Sequence, residues 1–324
     1  MKIKRLVIEN FKSIERIELV EPRPFTVFVG PNGSGKSNIF EALEFVNVNA
    51  RAKTLAESLF GGRGSFINRN SSSDRVNVTT EFDTSLVFLS WDDKMGGYNV
   101  KVRYDDSKLT DYFTNSQPSH HQFIINFLHL FIGNEKRQKL NFKDNNQLTF
   151  SGNNLENVLK RILTNQQLRS EIFEWLELFV PEFKAVEVDD RDELHWFEQS
   201  SPNYFTKDMI SDGTYNILAL LTAVYQSDDK PQFLCIEEPE NGLHPQVAGE
   251  LVDFFRIMCE ERGHYIWLNT HSQSMAMRVK PEEFVIVEKK QGATTTRQFS
   301  EGDFSGMRTD EAWLTNALNG GLAW

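Results

Sequence analysis

Phe25-Thr26-Val27-Phe28-Val29-Gly30-Pro31-Asn32-Gly33-Ser34-Gly35-Lys36-Ser37 decides the fold. The first five residues are β-branched or aromatic and read as a short buried strand. Gly30 to Ser37 then fit the pattern G-x-x-x-x-G-K-[ST] at every fixed position. After them Ile39, Phe40, Ala42, Leu43 and Val46 recur at helical spacing. Strand, glycine-rich turn and helix in that order have a physical use. The glycines let backbone N–H groups curl around phosphate oxygens, and the helix points its positive end at them. In this pattern Lys36 reaches the β- and γ-phosphates, and the Ser37 hydroxyl ligates Mg²⁺.

On the amino-terminal side, Ile3, Leu6 and Ile8 alternate in one stretch and Ile17 and Leu19 in another, with Asn10-Phe11-Lys12-Ser13 between them. That is a β-hairpin pattern. Beyond the helix the pattern is less sharp. Val76–Phe82 and Tyr98–Tyr104 read as strands, Ser116–His121 and Asp144–Asn154 as polar loops, and Leu155–Leu163 and Leu168–Phe179 as helices. The long middle segment is expected to form an inserted mixed lobe. The last third returns to alternation: helix at Thr214–Val224, strand at Phe233–Ile236, helix at Pro245–Met258 and strand at His264–Asn269. Strands follow at Phe284–Glu288 and Thr294–Phe299, with a turn at Gln291-Gly292. This order implies an α/β fold with a largely parallel sheet covered on both faces.

Three further stretches carry chemistry. Phe233-Leu234-Cys235-Ile236-Glu237-Glu238 puts two carboxylates at the carboxyl end of a buried strand, where ligands bind in open α/β sheets. Neighbours on a strand point opposite ways, so Glu237 and Glu238 cannot share one job. One can hold Mg²⁺ through water while the other orients an attacking water. Ile210-Ser211-Asp212-Gly213-Thr214 precedes an apolar helix. Ser211 or Asp212 caps that helix, and the same geometry could receive a phosphate from outside the chain. His271 ends the next strand, where an imidazole can hydrogen-bond a phosphate oxygen or a polarised water.

Composition narrows the alternatives. The 324 residues carry 46 Asp and Glu against 35 Lys and Arg, a formal net charge of −11. Indiscriminate coating of nucleic acid normally needs a basic surface. The candidates for a local basic groove are Arg51, Lys53, Arg63, Arg69, Arg75, Lys136, Arg137, Lys139 and Lys143. No apolar run approaches the ~20 residues that span a bilayer, and the start lacks an apolar signal region, so the expectation is a cytoplasmic protein without a membrane partner. Cys235 and Cys259 read as small buried apolar residues. The acidic run Asp189-Asp190-Arg191-Asp192-Glu193 lacks the strand-end context and second carboxylate cluster of a nuclease metal site. The closing Ala312–Trp324 stretch is expected to pack on its own core.

Together these motifs resemble the ABC-type ATPase heads of SMC, RecF-like and OLD-type proteins. Gly30–Ser37 resembles their Walker A loop, Phe233–Glu238 the Walker B strand and catalytic glutamate, and Ser211–Thr214 the signature motif. Asn241-Gly242-Leu243-His244-Pro245 resembles the D-loop, His271 the switch histidine, and Glu9–Ile14 the opening segment whose Lys12 and Ser13 lie near nucleotide. The resemblance implies a P-loop NTPase head with an N-terminal antiparallel β subdomain. Its nucleotide-binding core would be residues 1–47 and 204–324, and its inserted, partly helical lobe residues 48–203. It implies ATP and Mg²⁺ as cofactors. Gly30, Asn32, Gly33, Ser34, Gly35, Lys36, Ser37 and Asn38 would line the nucleotide, and Ser37 and Glu237 would hold the metal. Lys36, Glu238 and His271 would act in hydrolysis. Ser211 and Gly213 would face the ATP of a second head in a homodimer or higher oligomer.

The sequence departs from the family in three places. Glu237 stands where aspartate is usual, Asp212 stands where many relatives have glycine, and no Q-loop glutamine can be assigned. No heptad run is long enough for a coiled-coil arm, which counts against chromosome condensation. The implied function is an ATPase subunit controlling a separately encoded effector, such as a nuclease in anti-phage defence. The alternatives are a RecF-like DNA-repair ATPase and an ATP-gated scaffold with little turnover.

Overall fold

The computed structural model describes residues 2–51, 56–83, 85–92, 97–104, 110–111, 126–134, 146–304 and 306–315. The chain opens with the hairpin β1 (Ile3–Phe11) and β2 (Ile14–Val20), reversing at Lys12, whose φ is 52°. β3 (Phe25–Val29), buried at every residue, runs into the phosphate-loop sequence and α1 (Lys36–Arg51). Two short turns follow, α2 (Ala56–Leu59) and α3 (Arg63–Phe66). Next come β4 (Arg75–Phe82), β5 (Ser85–Asp92), β6 (Gly97–Tyr104), β7 (Thr110–Asp111) and β8 (Phe127–Leu130).

After these come α4 (Leu155–Leu163), α5 (Gln166–Phe179) and a second hairpin of β9 (Phe183–Val188) and β10 (Leu194–Glu198). The remainder is α6 (Asp212–Tyr225), β11 (Phe233–Glu237), α7 (Pro245–Arg262), β12 (Tyr265–Asn269), α8 (Gln273–Ala276), β13 (Phe284–Lys290), β14 (Ala293–Gln298) and α9 (Thr309–Leu314). Helix ends follow local chemistry. Asn165 caps α5 through Gln167 and Leu168, and Ser211, not Asp212, caps α6 by accepting from the Thr214 N–H. α7 starts on Pro245 and stops at Gly263 in the left-handed region.

Two six-stranded sheets organise the described residues. The first is antiparallel, in the order β2-β1-β4-β5-β6-β7. The second runs β14-β13-β3-β12-β11-β8, parallel except for β14 at its edge. Alternation along the central strands divides the core. Phe28, Phe233, Cys235, Tyr265 and Trp267 face α1 and the antiparallel sheet, while Val27, Val29, Leu234, Ile236, Ile266 and Leu268 face the layer of α4–α8. α1 lies between the two sheets, which explains why even Glu41, Glu44, Asn47 and Asn49 on it are buried.

The described residues between 48 and 203 are spread through the fold. β4–β7 extend the N-terminal sheet from β1, β8 pairs with β11 in the central sheet, and α4 and α5 pack against α6. β5, β7, β8, β9 and β10 fall outside the strands expected from the sequence. β8 has four residues, all buried, too few for alternation to show. The Asp189–Glu193 run forms the β9–β10 turn, with Asp189 accepting from the N–H groups of Arg191 and Glu193. Of the closing stretch, Trp313 packs towards Phe284, with ring centroids 6.4 Å apart, while Leu314 is exposed. Ser116–His121, Lys53, Lys136, Arg137, Lys139, Lys143 and residues 316–324 lie outside the described residues. No described helix is long and apolar enough to cross a membrane.

Candidate functional site

β3, β11, β12 and β8 are parallel, so the turns after them gather at one end of the sheet. The Gly30–Ser37 loop leaves β3 there and feeds α1. Gly35, at φ 104°, could carry no side chain: a Cβ would lie 2.1 Å from Thr294 Oγ1 and 2.8 Å from Ser13 Oγ. Those two hydroxyls meet at 2.6 Å, Asn38 Nδ2 donates to Ser13 Oγ at 2.6 Å, and Thr294 Oγ1 donates to the Ser34 carbonyl at 2.8 Å. The N-terminal hairpin turn and the start of β14 therefore brace the loop from both sides. Lys12, in the same turn, pairs with Glu41 of α1.

Lys36 is buried and donates to the carbonyls of Gly30 at 2.7 Å and Pro31 at 3.2 Å. Burial pushes its pKa down to about 8 against the opposing pull of Glu237, Glu238 and Glu240. Asn32 and Gly33 form the exposed tip of the loop. Ser37 Oγ donates to Glu237 Oε2 at 2.7 Å, joining two residues 200 positions apart.

Glu237 is 3% exposed and held from three elements. Its Oε2 accepts from Ser37 and from Asn269 Nδ2, and its Oε1 lies 3.0 Å from His129 Nε2. The other ring nitrogen of His129 lies 2.8 Å from Glu44 Oε2 on α1. Burial opposes ionisation of both groups. Against it, the two carboxylates hold the His129 pKa up at about 9, and the donors around Glu237 hold its carboxyl below the usual range.

Glu238 turns away from its neighbour with φ 46°, a backbone region that side chains seldom occupy. Its N–H donates to the Asn269 carbonyl at 2.9 Å, and its Oε2 accepts from Asn241 Nδ2 at 3.1 Å. Glu240 Oε1 accepts from Thr270 Oγ1 at 2.6 Å and from the His271 N–H at 2.9 Å, tying the turn after β11 to the turn after β12. His271 is exposed, and partial burial followed by the charge of Lys36 lowers its pKa. The start of α6 joins the same turn: Asn216 Nδ2 donates to the Asn241 carbonyl at 2.7 Å, and a Cβ on Gly213 would meet the Gly242 oxygen at 2.3 Å. Ser211 and Asp212 are exposed at the helix tip.

The structure thus brings Ser13, Asn38, Lys36, Ser37, Glu237, Glu238 and His271 to one end of one sheet. Sequence reading missed Glu44, His129, Asn269, Thr294 and the brace supplied by Glu240 and Asn241. The available signal for His129 was a polar residue inside the apolar run Phe127-Leu128-His129-Leu130.

Comparison with known proteins bears on the family and the fold. The chromosome partition protein Smc of Methanocaldococcus jannaschii is 36% identical over 112 residues, which are 34% of this chain and 9% of that protein. Smc of Halothermothrix orenii is 34% identical over 134 residues, 40% of this chain and 11% of the relative. The chain therefore spans about a tenth of the length of these relatives. Among solved structures, an Smc head bound to the C-winged helix domain of ScpA superposes with a TM-score of 0.68 at 16% identity, covering 94% of this chain and 99% of that one. The SMC head domain from Thermotoga maritima gives 0.57 at 14% identity, covering 93% and 100%. Residues 25–275 match the family described as "AAA domain, putative AbiEii toxin, Type IV TA system". On that match the chain belongs to this AAA-domain family of ATP-binding ATPases, and its fold is that of an SMC-type ABC ATPase head.

Proposed function

We propose that this chain binds and hydrolyses ATP, pairs head-to-head with a second copy around the nucleotide, and controls a separately encoded effector, a nuclease in anti-phage defence. The observation that carries the ATPase reading is the convergence of the Gly30–Ser37 loop, the Ser37–Glu237 contact, Glu238 and His271 at one end of one sheet. The support for a defence role is the toxin–antitoxin description of the family. The support for a partner protein is that the solved Smc heads include one bound to ScpA.

In this reading the backbone N–H groups of the loop and the start of α1 take the phosphates, and Lys36 leaves its loop carbonyls for the β- and γ-oxygens. Ser37 and Glu237 offer hard oxygen donors 2.7 Å apart, the donor type that Mg²⁺ takes. The bound ion would neutralise charge on the phosphates. Glu238, oriented by Asn241, takes the proton of the attacking water, and His271 hydrogen-bonds the γ-phosphate. The exposed tip of α6, with Ser211 and Gly213, presents a capped N-terminus to the nucleotide of the second copy. Because Asn216 and Gly213 contact the Asn241–Gly242 turn, that tip is tied to the segment holding Glu238 in its own chain.

ATP turnover by wild type, Lys36→Ala and Glu238→Gln tests the assignment. Loss of a positioned general base costs about 10²–10⁴ in rate, so Glu238→Gln is expected to keep ATP binding and lose turnover by that factor. Wild-type turnover in Glu238→Gln would remove Glu238 from the chemistry. Turnover that rises with DNA would favour the repair reading.

A further inference from the structure

His129 has no role in the ATPase scheme above, yet it touches the centre of the site. It stands on β8 in register with Cys235, beside the strand that ends in Glu237. Its side chain is 1% exposed, and the rings of Phe150 and Phe40 meet it edge-on, with centroids 4.9 and 5.9 Å away. Both ring nitrogens face carboxylate oxygens, Nε2 to Glu237 at 3.0 Å and Nδ1 to Glu44 at 2.8 Å. Ionised carboxylates accept and cannot donate, so each contact needs its own proton.

A glutamate at this position has one more torsion than an aspartate, and its carboxylate can swing. Here the swing is stopped from both sides, Oε1 by His129 and Oε2 by Ser37 and Asn269. Glu44 anchors the ring to α1, the helix that also carries Ser37. One histidine therefore links the loop helix, the edge strand and the Glu237 strand.

We infer that His129 is a positioning residue for divalent cation: it fixes the Glu237 carboxylate so that Oε2 faces Ser37, and so accommodates a glutamate in place of the shorter aspartate. This rests on the reading of Ser37 and Glu237 as the cation-holding pair.

The test is equilibrium binding of an ATP analogue with a β,γ-imido bridge, in Mg²⁺ and in excess EDTA, to wild type and His129→Phe. Groups that orient a metal ligand change metal affinity by about 10–100-fold, and the Mg²⁺-dependent gain in analogue affinity is expected to shrink by that factor in the variant, with affinity in EDTA unchanged. A purely structural role would weaken both conditions alike. Should His129→Phe fail to fold, Glu44→Gln/His129→Phe removes one buried carboxylate with the ring and carries the same expectation. An undiminished Mg²⁺ gain in either folded variant overturns the positioning role. Absence of any Mg²⁺ gain in wild type overturns the cation reading, and the positioning role falls with it.

Discussion

His129 and His264 are both buried beside the central sheet, and the fold treats them in opposite ways. His129 lies towards the carboxyl ends of the strands, between Glu44 and Glu237, and its pKa is held up at about 9. His264 immediately precedes β12 at the amino end. It takes a backbone N–H from Gln232 at 3.3 Å and faces the Val224 carbonyl at 3.2 Å. Burial pushes its pKa down to about 4, aided by Arg262 and only partly opposed by the Val224 carbonyl. A buried imidazole carries charge only where carboxylates accompany it, since neutral dipoles do not repay its lost hydration. The amino end is accordingly a neutral structural network of Gln226, Gln232 and His264. The carboxyl end concentrates charge where a polyanion would bind.

The sharpest way to break this contrast is to remove each ring. His129→Phe leaves the buried Glu44 and Glu237 carboxylates without their imidazole, and a loss of about 3–5 kcal/mol in denaturant unfolding is expected. His264→Leu removes two hydrogen bonds to backbone and is expected to cost only about 1–2 kcal/mol. Equal costs would show that His129 is not charged in the folded protein.

Acid provides the next largest effect. His264 has its pKa depressed from 6.5 to about 4, so its stabilising contribution is complete above 6.5 and is lost as pH falls through about 4. The unfolded chain binds the extra proton in that window, and up to about 3 kcal/mol separates its two ends. Comparing unfolding at pH 7 and pH 4.5 for wild type and His264→Leu isolates the contribution: the variant should lose less stability. Identical slopes would mean that His264 protonates without penalty.

Two smaller substitutions separate stability from nucleotide response. Gly213→Ala drives a methyl group against the Gly242 carbonyl and is expected to cost about 1–3 kcal/mol. Its larger signature should be weaker ATP-dependent pairing of copies, seen in solution mass. Thr294→Val removes the hydroxyl that braces the Ser34 carbonyl and should cost only about 1 kcal/mol in stability. It should nevertheless lower nucleotide affinity, with Thr294→Ser restoring it, whereas His264→Leu leaves nucleotide affinity unchanged.

The same contrast shows what could be read from sequence. The Gly30–Ser37 loop, the Glu237-Glu238 pair and the cap at Ser211 are local patterns whose chemistry follows from neighbouring residues. Their strands and helices were legible for the same reason. Glu44, His129 and Glu237 instead meet across 85 and 108 positions, and nothing local announces that meeting. β8 escaped because its four residues are all buried, so burial erased the alternation that marks a strand. β9 and β10 were hidden by an acidic turn that draws attention to its charge. Thr294 lies in a strand that was recognised, but its role depends on the backbone of Gly35 passing 259 residues earlier in the chain, which only the folded structure reveals.

Whether ATP completes its site between two copies of this chain is read from the solution mass of Glu238→Gln with and without Mg-ATP. The expected result is a 37.4 kDa species without nucleotide and a doubled mass when ATP is added. A protein that saturates with ATP and remains at 37.4 kDa would mean that the site is complete within one copy.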